Sequence, residues 1–300
     1  MVPQDDEKII VQSLIGGSQL PFYLRCLKSL VTFCLDRFNL QLHTDGSLSQ
    51  EDKDFIHAEL DGTMVTVSDS SENTNRVLDC LQGRPNCQKI RKDSIWGIEF
   101  FDPMFAFPED PISFYLDADI LFLRPFSGLF DRNQVKGGAI FLKDTQWDAY
   151  CFRPWQMLRE KKKLQAVKGI TTGLVFWDKS VIDWDYLEWF LGEHHLHKIP
   201  EWIMPTAQAG LANRCAAKTI SPRHLTNLYP NTQIHGDTFG VHLLGSYRKK
   251  WIEMLEAREN NRTENSPTIL PSFEKCVSQN IFGYSIRQMR RWKNTRLNLW

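Results

Sequence analysis

Short apolar runs alternate with amphipathic stretches from residue 8 onward, and that alternation narrows the choice of fold more than any other feature. "KIIVQSLIGG" (8–17) reads as a strand running into a glycine pair. The following "LPFYLRCLKSLVTFCLDRF" sets Phe22, Leu27, Leu30, Val31 and Cys34 near helical spacing. "NLQLHTDG" (39–46) and "TMVTVS" (63–68) read as further strands. Between them "SQEDKDFIHAEL" opens with Ser49 three residues before Asp52, the spacing of a capping box. Residues 92–105 read as a helix, 137–143 and 171–178 as strands around a basic helix at 153–166, then helices at 183–195 and 205–218, with short extended pieces to 243. Strands that each hand over to a helix pair mainly in parallel and are covered on both faces. The expected fold is therefore α/β, a single domain with a mainly parallel, Rossmann-like mixed sheet flanked by helices.

Ligands of open α/β sheets bind beyond the carboxyl ends of the strands. Four features are expected at such ends: Ile15-Gly16-Gly17, Asp45-Gly46, Asp117 with Asp119, and Asp178. The most pointed is "FYLDADILFLRPF" (114–126), where two aspartates interrupt an aromatic and aliphatic run. On a strand, residues i and i+2 share a face, so both carboxylates would point the same way. Such repulsion is relieved by a cation, and Mg²⁺ or Mn²⁺ takes one or two carboxylates together with substrate phosphates.

"FYLDADILFLRPFSGLF" resembles the metal-binding segment of A-type glycosyltransferases, in particular the glycogenin-like enzymes of glycosyltransferase family eight. "VHLLGSYRKKW" (241–251) resembles the late H-x-x-G-x-x-K element of that family, with His242, Gly245 and Arg248 in those places and Lys249 next. The resemblance implies an A-type glycosyltransferase fold and a nucleotide-sugar donor, a uridine diphosphate sugar above all. It implies Asp117, Asp119 and His242 as ligands to Mn²⁺ or Mg²⁺, and Arg248 with Lys249 as contacts to the diphosphate, arginine offering a two-pronged grip. "GITTGLVFWDKS" (169–180) resembles the family's N-[SA]-G segment beside the donor sugar; Gly173 is kept and Thr171 replaces the asparagine. "AQAGLAN" (207–213) resembles the D-Q helix at the reaction centre, with Gln208 kept and Ala207 in place of the acid. Lys92 matches a donor-reaching lysine on the preceding helix, and Asp45 an acid near the base or ribose. Asp117, Asp119 and Gln208 are thus the catalytic candidates, and Ile15, Gly16, Asp45, Lys92, Gly173, Gly245, Arg248 and Lys249 the donor-binding ones. Residues 1–130 would form the nucleotide-sugar half, 131–260 the acceptor half, and 261–300 a C-terminal extension. Were transfer to invert the sugar's configuration, Asp144, Asp178 or Asp237 would have to act as base.

Other features bound the reading. The 300 residues carry 36 basic and 36 acidic side chains, so no overall field selects a nucleic acid. Seven scattered cysteines with no CxxC pair read as reduced thiols. The opening "MVPQDDEKII" lacks the basic and apolar regions of a signal peptide, and the expectation is a cytoplasmic protein. The tail "IRQMRRWKNTRLNLW" (286–300) interleaves basic and aromatic residues and is a candidate for peripheral membrane contact. His194 and His197 in "HHLH" have no third ligand nearby and read as a helix end. Two alternatives stay open. One is a nucleotidyltransferase, although "IGGSQLPF" lacks that class's basic residue; the other is an inactive carbohydrate-binding or scaffold relative.

Overall fold

The computed structural model describes residues 9–60, 65–68, 70–146, 150–160, 164–245, 248–259 and 267–297. The first half runs β1 (Ile9–Ile15), α1 (Leu20–Phe33), β2 (Phe38–Thr44), α2 (Gln50–Glu59), β3 (Val65–Val67), α3 (Ser70–Cys80), α4 (Pro85–Asp93), α5 (Ile95–Phe105), β4 (Ile112–Leu116) and β5 (Ile120–Phe122). It continues with α6 (Arg132–Val135), β6 (Gly138–Lys143), α7 (Gln156–Arg159), β7 (Ile170–Asp178), α8 (Trp184–Gly192), α9 (Ile203–Ala212), β8 (Ala216–Ile220), β9 (Leu225–Asn227), β10 (Gly240–His242), α10 (Arg248–Glu259), β11 (Phe273–Lys275) and α11 (Ile281–Leu297).

An eight-stranded sheet takes the order β11-β8-β6-β7-β4-β1-β2-β3. The β3-β2-β1-β4 side is parallel throughout, and β6 also pairs with β8 in parallel. β7 runs against both β4 and β6, and β11 against β8. A second sheet, β5-β10-β9, stands beside it. Along β7, Leu174 and Phe176 enter one buried layer and Val175 and Trp177 the other, as a period of two requires. β6 does the same with Ile140 and Leu142 against Ala139 and Phe141. The large sheet is therefore covered on both faces, as the alternation in the sequence demands.

Three expectations are corrected. Residues 92–105 form two helices, not one, because Ser94 is extended (φ −140°, ψ 132°) and Gly97 lies so close to the Ile90 carbonyl that no side chain would fit there. The basic helix at 153–166 shrinks to the single turn α7, with Leu164 to Ala166 in no regular structure; residues 161–163 lie outside the described residues. The helix over 205–218 ends at Ala212, and Ala216 onward is strand β8. The capping box at α2 is present as expected: the Ser49 hydroxyl accepts from the Asp52 amide at 3.1 Å, and Asp52 accepts from the Ser49 amide at 2.8 Å.

Candidate active site

Asp117 and Asp119 do not sit on a strand. β4 ends at Leu116, and Asp117-Ala118-Asp119 form the turn into β5. What orients them is a set of backbone bonds: the Asp117 amide donates to Gly173 O at 2.8 Å, and Asp119 O accepts from the Leu243 amide at 3.0 Å. β5 pairs antiparallel with β10 so that Ile120 lies opposite His242. That register carries the imidazole to the residue following the turn, and its Nε2 lies 3.0 Å from Asp119 Oδ1 and 3.4 Å from Asp117 Oδ2. One ligand atom from each of these three residues lies within 4.8 Å of the others.

The imidazole is locked from behind. Nδ1 is 2.9 Å from Asn227 Oδ1 on the neighbouring strand β9, which leaves Nε2 for the carboxylates. A Cβ on Gly173 would strike the ring, so only glycine lets β7 pass so close. The Tyr115 hydroxyl donates to Asp117 Oδ1 at 2.9 Å. Arg248 Nη2 donates to Asp119 Oδ2 at 2.5 Å.

Charge follows from this packing. Burial works against a charged His242, yet Asp119 and Asp117 outweigh it and lift its pKa to about 10. Burial would also raise Asp119, but His242 and Arg248 hold it below the usual carboxylate range. Asp117 is pushed up by burial, which the His242 hydrogen bond only partly offsets.

This donor set fits a divalent ion. Asp119 Oδ1 is buried and, although Nε2 is near, makes no well-aligned hydrogen bond. Two carboxylates with one imidazole suit Mn²⁺, and the carboxylates alone suit Mg²⁺. An ion held here would take the place of the Nε2 proton.

The remaining candidates divide by position. At the ends of β1 and β2, Asp45 Oδ1 accepts from the Ser47 amide at 2.9 Å and from its hydroxyl at 2.5 Å, and its other oxygen packs on Gly16 so tightly that a Cβ there would collide. The Ile15 side chain is buried in the core, so only its backbone faces this edge, where its carbonyl already accepts from the Asp45 amide. Gln208 is buried on α9, with the Trp177 indole 3.4 Å from its Oε1. Ala207 is fully buried, so the packing gives an acid at that place no water. Gly245 is exposed with φ +43°, a left-handed turn just after β10. The Lys249 side chain lies outside the described residues.

Two of the expected residues have no described contact with this cluster. Lys92 is exposed in the last turn of α4, and no contact among the described residues ties it to the Asp117–His242 cluster. Asp178 is at the wrong edge: β7 runs antiparallel to β4 and pairs Asp178 with Ile112 at the start of that strand. There it accepts from the Gly137 and Ser180 amides at 2.7 and 3.0 Å and holds a turn. Asp144, after β6, does share the site's edge, whereas Asp237 is paired with Arg223. His197 Nε2 is bonded to Phe190 O, the helix-end arrangement expected of it.

The helix before β4 brings a different residue to the site. Glu99 on α5 lies close enough to sense Thr172, Asp117, Asp119 and His242; burial first, then Asp117, pushes its pKa well up. With Tyr115, Trp177 and Gln208 it lines a narrow cavity. A lone acid inside the apolar "IWGIEFF" was the available signal. Asn227 carried none, because its role comes wholly from the pairing of β9 with β10.

No family model matches the chain, and no curated protein matches it by sequence. Solved structures do. Mouse xyloside xylosyltransferase 1, in its apo form, superposes with a TM-score of 0.56 at 13% identity, over 80% of this chain and 98% of that one. The galactosyltransferase LgtC, solved in complex with donor and acceptor sugar analogues, superposes with a TM-score of 0.50 at 12% identity, over 86% of this chain and 97% of that one. At these identities the likeness is one of fold, and the fold is that of the A-type glycosyltransferases.

Proposed function

We propose that this chain is a metal-dependent glycosyltransferase that moves a sugar from a nucleoside diphosphate sugar, of the uridine series, to an acceptor hydroxyl. The convergence of Asp117, Asp119 and His242 at the carboxyl edge of an A-type glycosyltransferase sheet carries the proposal. A bound Mn²⁺ or Mg²⁺ would neutralise charge on the departing diphosphate. The chain's own groups take the rest. Arg248, with Lys249 beside it in sequence and the Gly245 turn before it, holds the diphosphate. Asp45 and the Ile15-Gly16 backbone face the nucleoside. Gly173, Thr172, Glu99 and Gln208 flank the sugar, with residues 1–130 forming the donor half and 131–260 the acceptor half.

The seven cysteines are all unpaired, in keeping with a reducing, cytoplasmic setting. No helix among the described residues is long and apolar enough to cross a membrane. α11 instead exposes Phe282, Ile286, Met289 and Trp292 and carries no acidic residue, a pattern suited to lying on an anionic lipid surface.

Thermal unfolding with UDP-glucose, UDP-galactose and UDP-xylose, each with and without Mn²⁺, tests the donor reading. At a hundredfold excess over Kd, binding should contribute about 2.7 kcal/mol, and only when metal is present. Asp119→Ala should lose the shift. An equal shift for that variant, or one independent of metal, overturns the assignment; binding without any donor hydrolysis or transfer would favour an inactive relative.

A further inference from the structure

We propose that Arg248 couples metal to nucleotide: its guanidinium opposes a divalent ion at Asp119 until a diphosphate lies between the two charges, so that each ligand tightens the other. The inference deepens the proposed function and rests on its metal and donor.

Arg248 is held at three points. Its Nε donates to Leu243 O at 3.1 Å, Nη1 to Gln19 Oε1 at 2.6 Å and Nη2 to Asp119 Oδ2 at 2.5 Å. The guanidinium carbon lies 5.3 Å from the centre of the Phe22 ring. Leu243 directly follows His242, and Gln19 closes the turn after Gly16-Gly17, so the cation is anchored to backbone beside a metal ligand and to the end of β1.

Asp119 has two oxygens and one negative charge. Oδ2 is given to Arg248 and Oδ1 faces His242. A doubly charged ion on the same carboxylate would sit within a few ångströms of a fixed positive charge, in a setting only 8% exposed at Asp119, where screening is weak. A diphosphate reverses the sign of that interaction, because its oxygens accept from the guanidinium fork and bind the ion at once. A lysine, a point charge on a flexible stem, could swing away from the ion; the three-anchored arginine cannot do so without losing its bonds to Leu243 and Gln19. Favourable coupling between two ligands is reciprocal, so the factor by which UDP tightens metal must equal that by which metal tightens UDP.

The test measures Mn²⁺ binding, by the paramagnetic resonance of the free ion, alone and with saturating UDP, in the wild type, Arg248→Gln and Arg248→Lys. In the wild type UDP should tighten Mn²⁺ at least tenfold. Arg248→Gln should bind Mn²⁺ alone at least threefold more tightly than the wild type, with the UDP enhancement reduced below threefold. Arg248→Lys should fall between them. The proposal is overturned if Arg248→Gln keeps the wild-type melting temperature yet binds Mn²⁺ alone no better than the wild type. Should Arg248→Gln not fold, an Arg248→Lys protein with wild-type metal affinity and wild-type coupling overturns it equally. A wild type that binds Mn²⁺ but shows no UDP effect refutes the donor reading, while the metal-only comparison still decides whether Arg248 opposes the ion.

Discussion

Gly173 shows how much of the site depends on an atom that is not there. Its carbonyl accepts from the Asp117 amide, and its bare Cα lets the His242 ring lie close against β7. Gly173→Ala would thrust a methyl group into that ring. Overpacking of this kind costs about 1–3 kcal/mol, but the larger effect should be on the displaced imidazole. We expect Mn²⁺ affinity to fall at least tenfold while the circular dichroism spectrum stays native. Wild-type Mn²⁺ affinity in the folded variant would show that His242 does not need this contact. Single residues also show where sequence reading succeeds. Asp117, Asp119 and His242 were legible because charged or ligating side chains are conspicuous within apolar runs of sequence, although the two aspartates prove to lie in the turn after β4. Glu99, Asn227 and the pairing of Arg248 with Asp119 were not, because each depends on which segments lie side by side.

Between elements, a buried polar network joins β1 and β2 to α3, α4 and α5. Arg91 and Asp102 form an almost fully buried ion pair, with Arg91 Nη2 donating to Asp102 Oδ2 at 2.8 Å. Asn73 bonds the same carboxylate and is in turn bonded by Arg76. His43 Nε2 is 3.0 Å from Gln12 Oε1, and its Nδ1 is 3.5 Å from the Asn73 amide nitrogen. Both ring nitrogens are thus satisfied by the neutral imidazole, and a second proton would face a donor. Burial foremost, then Arg76 and Arg91, lower the His43 pKa to about 3. A base whose folded pKa lies below its unfolded value stabilises the fold fully above pH 6.5 and loses that contribution as pH falls towards 3. The loss should reach about 2 kcal/mol at pH 5. Melting temperatures at pH 7 and pH 5 check this: His43→Gln should flatten the decline, and an unchanged slope would assign the acid sensitivity elsewhere. The strand–helix alternation was readable at this scale, but directions and breaks were less so. An antiparallel β7 looks like any buried strand in sequence, and its reversal alone removes Asp178 from the site. The break at Ser94 is imposed by the close approach of Gly97 to α4, a tertiary effect that helical spacing does not register.

At the scale of the whole molecule, the neutral chain concentrates basic side chains on α11, where Arg287, Arg290 and Lys293 accompany the exposed apolar residues. Tyr284 on the same helix is fully buried, its hydroxyl donating to Phe152 O at 2.6 Å, so the helix is docked by one face and shows the other to solvent. We expect the protein to sediment with vesicles containing anionic phospholipid, to ignore neutral ones, and to be released by raised salt. Phe282→Ser with Met289→Ser should abolish sedimentation without lowering the melting temperature, whereas retention by that double variant would locate any lipid contact elsewhere.

The small sheet that sets His242 opposite Ile120 has a consequence for the order of assembly. Both aspartates leave the ribosome long before β10, and nothing local can supply their third partner. A nascent chain would therefore carry two of the three proposed ligands and lack the third until β10 pairs beside β5. Under the proposed function, capture of the ion would mark completed maturation, and truncation anywhere before β10 would remove one of its three proposed ligands.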